Sequence, residues 1–171
     1  MKRLSLLVVA LGVLVSACGS SSTSPTTPTN PTFTAALSPA NEVPAIQGAE
    51  ATGTGTATVT MVTTKDSAGN VTAATATFVV NLSGFPANTP INIAHIHQAA
   101  AGVNGSIVVN SQIAAGQVVL TNGSGSFTAS NLTVDPALAN TILNNPAGFY
   151  FNVHSTLNPG GVARGQLVRT Q

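Results

Sequence analysis

From Phe33 onward the chain alternates apolar and polar residues with a period of two, broken at short intervals by Gly, Pro, Asn and Asp. Successive side chains of an extended strand point to opposite faces, so this period marks half-buried strands. The pattern predicts strands over Phe33–Leu37, Gly53–Val62, Val71–Leu82, Ile91–His97, Ile107–Asn110, Gln117–Leu120, Ser126–Leu132, Phe149–His154 and Val162–Arg169. Lys65–Asn70 supplies a turn between the second and third, in which Gly69 and Asn70 tolerate positive φ. Asn122-Gly123 predicts a tight hairpin between the flanking strands. One helix is expected, with Asp135 as N-cap, Pro136 at its first position and a body to Asn144, stopped by Asn145-Pro146. Many short strands with frequent turn signals imply an all-β sandwich or barrel.

Two N-terminal segments lie outside that pattern. Lys2 and Arg3 precede an apolar run from Leu4 to Val15. This run is too short to span a bilayer and fits a secretory signal. Val15-Ser16-Ala17-Cys18 resembles the bacterial lipobox, in which the cysteine becomes the acylated first residue. Residues 1–17 are then a signal peptide and Cys18, the sole cysteine, is the lipidation site. Gly19 after it implies outer-membrane sorting in a diderm host. Residues 18–32 are rich in Ser, Thr and Pro. Such a stretch has little to bury and reads as a tether.

Removing the signal leaves Lys65, Arg164 and Arg169 against Glu42, Glu50, Asp66 and Asp135, a net charge of −1 where the full chain carries +1. With no basic patch, nucleic acid is not an expected partner. The membrane is expected as a partner through Cys18, with a protein or polysaccharide beyond it. A Thr/Asn-rich sheet would suit adhesion. No G-x-S-x-G elbow, P-loop or dinucleotide fingerprint is present.

Only 5% of residues are charged, so chemistry falls to three histidines. His95 and His97, two apart in A-H-I-H, project from one strand face. His154 lies on another strand. Two readings follow. In one, the three imidazoles form a metal site, copper first and zinc second, with an open position and Asn152 or Gln98 as acceptors for the remaining ring N–H groups. In the other, they are structural and bond loop carbonyls. Arg164 is either an anion guide beside that metal or a guanidinium paired with Glu42, Asp135 or loop carbonyls.

The ordered set L-S-P-A-N-E-V-P (Leu37–Pro44), A-H-I-H, G-F-Y-F-N-V-H-S (Gly148–Ser155), N-P-G-G (Asn158–Gly161) and R-G-Q-L (Arg164–Leu167) resembles the CHRD domain, a module common in bacterial secreted proteins. The resemblance spans about Phe33 to Val168, and the remainder, residues 33–171, is taken as one domain. It implies an immunoglobulin-like or Greek-key antiparallel β-sandwich. Where the family often has Gly-Glu before Ile-Arg-Gly-Gln, this chain has Gly161-Val162-Ala163. A looser resemblance, to copper/zinc superoxide dismutases, implies copper at His95, His97 and His154 with Arg164 guiding an anion. This chain has no zinc-ligand cluster, fourth copper-type histidine or disulfide pair to match. The expected function is a lipid-anchored envelope binding or structural module. The alternative is a copper redox or metal-handling protein.

Overall fold

The computed structural model describes residues 30–171. The expected signal peptide, Cys18 and most of the tether lie outside the described residues.

Among the described residues, ten strands form two antiparallel sheets packed face to face. The first contains β1 (Thr32–Leu37), β2 (Thr54–Lys65), β3 (Val71–Ser83), β7 (Gly125–Val134) and β10 (Val168–Arg169), in the order β10-β1-β2-β3-β7. The second contains β4 (Thr89–Gln98), β5 (Ser106–Asn110), β6 (Val118–Leu120), β8 (Phe149–Ser155) and β9 (Ala163–Gln166), in the order β5-β4-β8-β9. Strand β6 pairs with the start of β4. Helix α1 (Pro136–Asn144) connects β7 to the final turn before β8. The all-β sandwich with one short helix is therefore the fold of this chain.

Period-two patterning explains the long strands. In β2 and β3 the inward positions are Ala57, Val59, Met61, Phe78, Val80 and Leu82, all buried, while Thr56, Thr64, Val79 and Asn81 face out. The Lys65–Asn70 turn forms because the Asp66 carboxylate accepts the Ala68 and Asn70 N–H groups, both at 2.9 Å. Helix α1 starts as expected: Asp135 accepts from the N–H groups of Ala137 and Leu138.

Two expectations fail. Asn122-Gly123 does not make a hairpin. Both residues take positive φ, but β6 pairs with β4 and β7 with β3, so the turn carries the chain between sheets. The reason is a close approach: Gly123 lies against the Phe85 carbonyl, which a Cβ would overlap, and its own carbonyl accepts the Phe85 N–H. The expected last strand, Val162–Arg169, is two strands in different sheets. The break falls at Leu167, 1% exposed, as the chain crosses from the edge of one sheet to the edge of the other.

Strand β8 positions the site. Phe149, Phe151 and Val153 face the inter-sheet core, where the Phe151 ring meets Phe78 edge-on at 5.1 Å. Tyr150, Asn152 and His154 take the opposite face, yet they too are buried. This outer face is covered by the segments around residues 39–50, 99–105 and 156–161, whose polar groups bond to it.

Candidate metal centre

Cross-strand register brings the histidines together. His95 pairs with Asn152 and His97 with Tyr150 across β4 and β8, and Ile93 pairs with His154. His154 is thus the diagonal neighbour of His95, within reach of an aromatic side chain. Ring centroids are 4.9 Å apart for His95 and His154, 5.4 Å for His95 and His97, and 6.2 Å for His97 and His154. All three residues are buried. One ring nitrogen from each lies within 4.8 Å of the others, which puts all three within about 3 Å of a common point, where metal–imidazole bonds run about 2 Å.

Hydrogen bonding fixes two of the tautomers. His97 Nδ1 lies 3.0 Å from the Gly105 carbonyl and His154 Nδ1 lies 2.9 Å from the Pro159 carbonyl. A carbonyl only accepts, so both Nδ1 atoms carry protons and, in the neutral rings, both Nε2 atoms are bare lone pairs. His95 Nδ1 faces His154 Nε2 at 3.2 Å and so donates to it. His97 Nε2 is buried without a partner. The outer acceptors expected at Asn152 and Gln98 are backbone carbonyls instead. Gln98 is exposed, and neither residue bonds a histidine. Backbone acceptors are anonymous in a sequence, which is why residue types alone did not reveal them.

Burial favours neutral imidazole. It holds His95 down to about 4, with the neighbouring His154 and His97 adding to the effect. Burial also lowers His97 and His154, against the raising influence of their carbonyl bonds. No aspartate, glutamate or cysteine joins the three histidines among the described residues. The arrangement offers three neutral nitrogen donors, two of them oriented by an outer acceptor in the manner of metal ligands.

The same residues match a known family. Residues 33–167 match the CHRD domain. The chain belongs to the CHRD-domain family. No curated protein matches the chain, and no solved structure does.

Tyr150 is a feature of this CHRD domain that sequence reading missed. Its ring stacks on His97 at 4.7 Å, only 7° from parallel. Its hydroxyl accepts the Gly105 N–H at 3.2 Å, so it also holds the loop whose carbonyl fixes the His97 tautomer. Arg164 lies over Tyr150, its guanidinium carbon 4.8 Å from the ring centroid. The signal for Tyr150 was its place in the polar register of F-Y-F-N-V-H, four residues before His154.

Arg164 is 3% exposed. It donates from Nε to the Asn41 carbonyl at 2.6 Å and from Nη1 to Asn104 Oδ1 at 2.7 Å. Glu42 Oε2 stands 3.8 Å from Arg164 Nε. The expected pairing with Glu42 or loop carbonyls therefore forms, whereas Asp135 is occupied as the α1 N-cap. Burial pushes Glu42 up to about 7, and Arg164 offsets only part of that. Glu42 and Arg164 both line a cavity of about 460 Å³ beside Gly102 and Gln166.

Gly161 shapes the far side of this cluster. Its φ is +134°, and a Cβ there would meet Asn152 Nδ2 at 2.6 Å and both Glu42 carboxylate oxygens at 2.9–3.0 Å. Gly161→Ala adds backbone strain to that clash, and we expect a loss of about 2–3 kcal/mol. Urea denaturation checks this against Gly160→Ala, where a Cβ meets open space and the loss should stay under about 1 kcal/mol.

Proposed function

We propose that this CHRD domain is an extracytoplasmic binding module of the cell envelope, lipid-anchored through Cys18, that holds a metal ion between His95, His97 and His154. Copper is the first candidate and zinc the second, because an all-imidazole set without carboxylate suits both ions. The observation that carries this reading is the convergence of three buried imidazoles, each of which places one ring nitrogen within 4.8 Å of the others. His97 and His154 each commit Nδ1–H to a carbonyl, which leaves both Nε2 atoms unprotonated; that of His154 accepts from His95, and that of His97 has no protein partner. His97 Nε2 is buried without a protein partner, and a bound ion would meet the cost of that unpaired polar atom.

Metal entry must displace the His95–His154 hydrogen bond. His95 can ligate through Nδ1 after moving its proton to Nε2, so uptake near pH 7 releases no net proton from the neutral cluster. The lowered imidazoles also leave the site ready for metal in mildly acidic surroundings.

The test is metal content by mass spectrometry after copper or zinc loading and desalting. The expected result is near one equivalent in the parent and none in a His95→Ala/His97→Ala variant. No metal in the parent would leave a structural cluster. For the anchor, incorporation of labelled fatty acid in the parent and its absence in Cys18→Ala is expected; equal labelling would remove that assignment.

A further inference from the structure

We infer that the three-histidine centre selects the monovalent cuprous ion over divalent ions, and that Arg164, acting through Tyr150, sets that selectivity. This deepens the metal reading above and rests on it.

Three observations carry the inference. First, the donors are neutral and buried, with no aspartate, glutamate or cysteine among them in the described residues. The cost of placing an ion in a poorly polarisable interior grows with the square of its charge, and neutral donors cancel none of that charge. A divalent ion there keeps its full double charge; burying a monovalent one costs about a quarter as much. Second, the cation nearest the site is fixed. His97, Tyr150 and Arg164 stack as successive layers with spacings of 4.7 and 4.8 Å. Arg164 cannot swing away, because Asn41 and Asn104 hold two of its nitrogens. From its place in that stack its charge opposes a divalent ion at the histidines twice as strongly as a monovalent one. Third, the protein supplies three donors. Zinc completes a tetrahedron with a fourth ligand, commonly water, and this cluster lies under the 99–105 and 156–161 loops with each histidine less than 9% exposed. Two or three nitrogen donors already satisfy a cuprous ion.

The test is anaerobic competition of the full-length protein against a chromophoric chelator, with Cu(I) and Zn(II) in separate titrations. The expected result is a Cu(I) affinity on the order of a hundredfold or more above that for Zn(II). Zn(II) affinity equal to or above that for Cu(I) overturns the selectivity while leaving the metal site standing. Failure of both ions to bind removes the metal reading itself. Arg164→Met is expected to raise Zn(II) affinity about tenfold relative to Cu(I). An unchanged ratio in a folded Arg164→Met protein overturns the role of Arg164. The parental comparison needs no variant and decides the selectivity alone.

Discussion

Phe151→Ala is expected to destabilise the domain by about 3–5 kcal/mol, the range for removing a fully buried aromatic ring. Phe151 is 0% exposed and central in β8, with Ile96 and Gly165 as its partners on the neighbouring strands. Its ring meets Phe78 edge-on across the interface between sheets, a contact beyond simple burial. Gly165 offers no side chain to refill the space and packs its backbone on Ala36, so the cavity cannot readily collapse. The loss is a large share of a stability that is typically about 5–15 kcal/mol. Urea titration should show a lower midpoint with an unchanged slope. Val79→Ala, on the exposed face of β3, should shift stability by about 0.5 kcal/mol or less. A Phe151→Ala loss under about 1.5 kcal/mol would mean that the two sheets do not share one tightly packed core.

Phe151 also links the core to the site. It shares β8 with Tyr150 and His154, which take the other face by the two-residue alternation of the strand. Cores that form one side of such a strand fix the direction of the other side. A loosened Phe151 is therefore expected to widen the spacing of His95 and His154 as well as to lower stability.

That alternation is why much of this protein was legible in its sequence. His95 and His97 had to share a face, and apolar Ala94 and Ile96 had to take the core side. Placing His154 beside them required the pairing of β4 with β8, which residue types suggest but do not fix. Backbone participants left no trace: the carbonyls of Gly105, Pro159 and Asn41 act at the site without regard to their side chains. The same limit explains the hairpin that does not form. Asn122-Gly123 encodes a local reversal, but the destination of each strand depends on distant partners, with Val118 and Leu120 packing beside β4 and Ala129 and Leu132 beside β3. At the C-terminus, V-A-R-G-Q-L-V-R reads as one strand because a sheet-to-sheet crossing at Leu167 needs no Gly or Pro. The burial of the polar face of β8 was also hidden, since alternation predicts a wet outer face and only the covering loops make it dry.

Glu42→Gln is expected to leave stability near pH 4 almost unchanged and to raise it by about 3 kcal/mol at pH 8. Glu42 is 7% exposed and is pushed from an ordinary 4.5 to about 7 by burial, with Arg164 pulling the other way. The folded protein therefore holds a proton there that the unfolded chain has lost between about pH 4.5 and 7, so this group's contribution is lost as pH rises through that window. Arg164 cannot compensate fully because its Nε–H points to the Asn41 carbonyl, leaving the carboxylate at 3.8 Å. The histidines run the opposite way. His95, about 4 when folded against an ordinary 6.5, stays neutral where the unfolded chain is protonated, and its contribution is lost as pH falls from 6.5 toward 4. His97 and His154 are lowered as well and act in the same direction. In the parent the Glu42 slope offsets only part of the combined histidine slope, so stability climbs more gently to a maximum between about pH 6 and 7 and falls slightly above it. In the Glu42→Gln variant only the histidine slope remains, so stability should climb from about pH 4 to about 6.5 and then level off. Urea midpoints for parent and variant at pH 4, 6 and 8 decide the matter. A Glu42→Gln protein that is less stable than the parent at pH 8 would show that Arg164 needs the carboxylate charge more than the interior resists it.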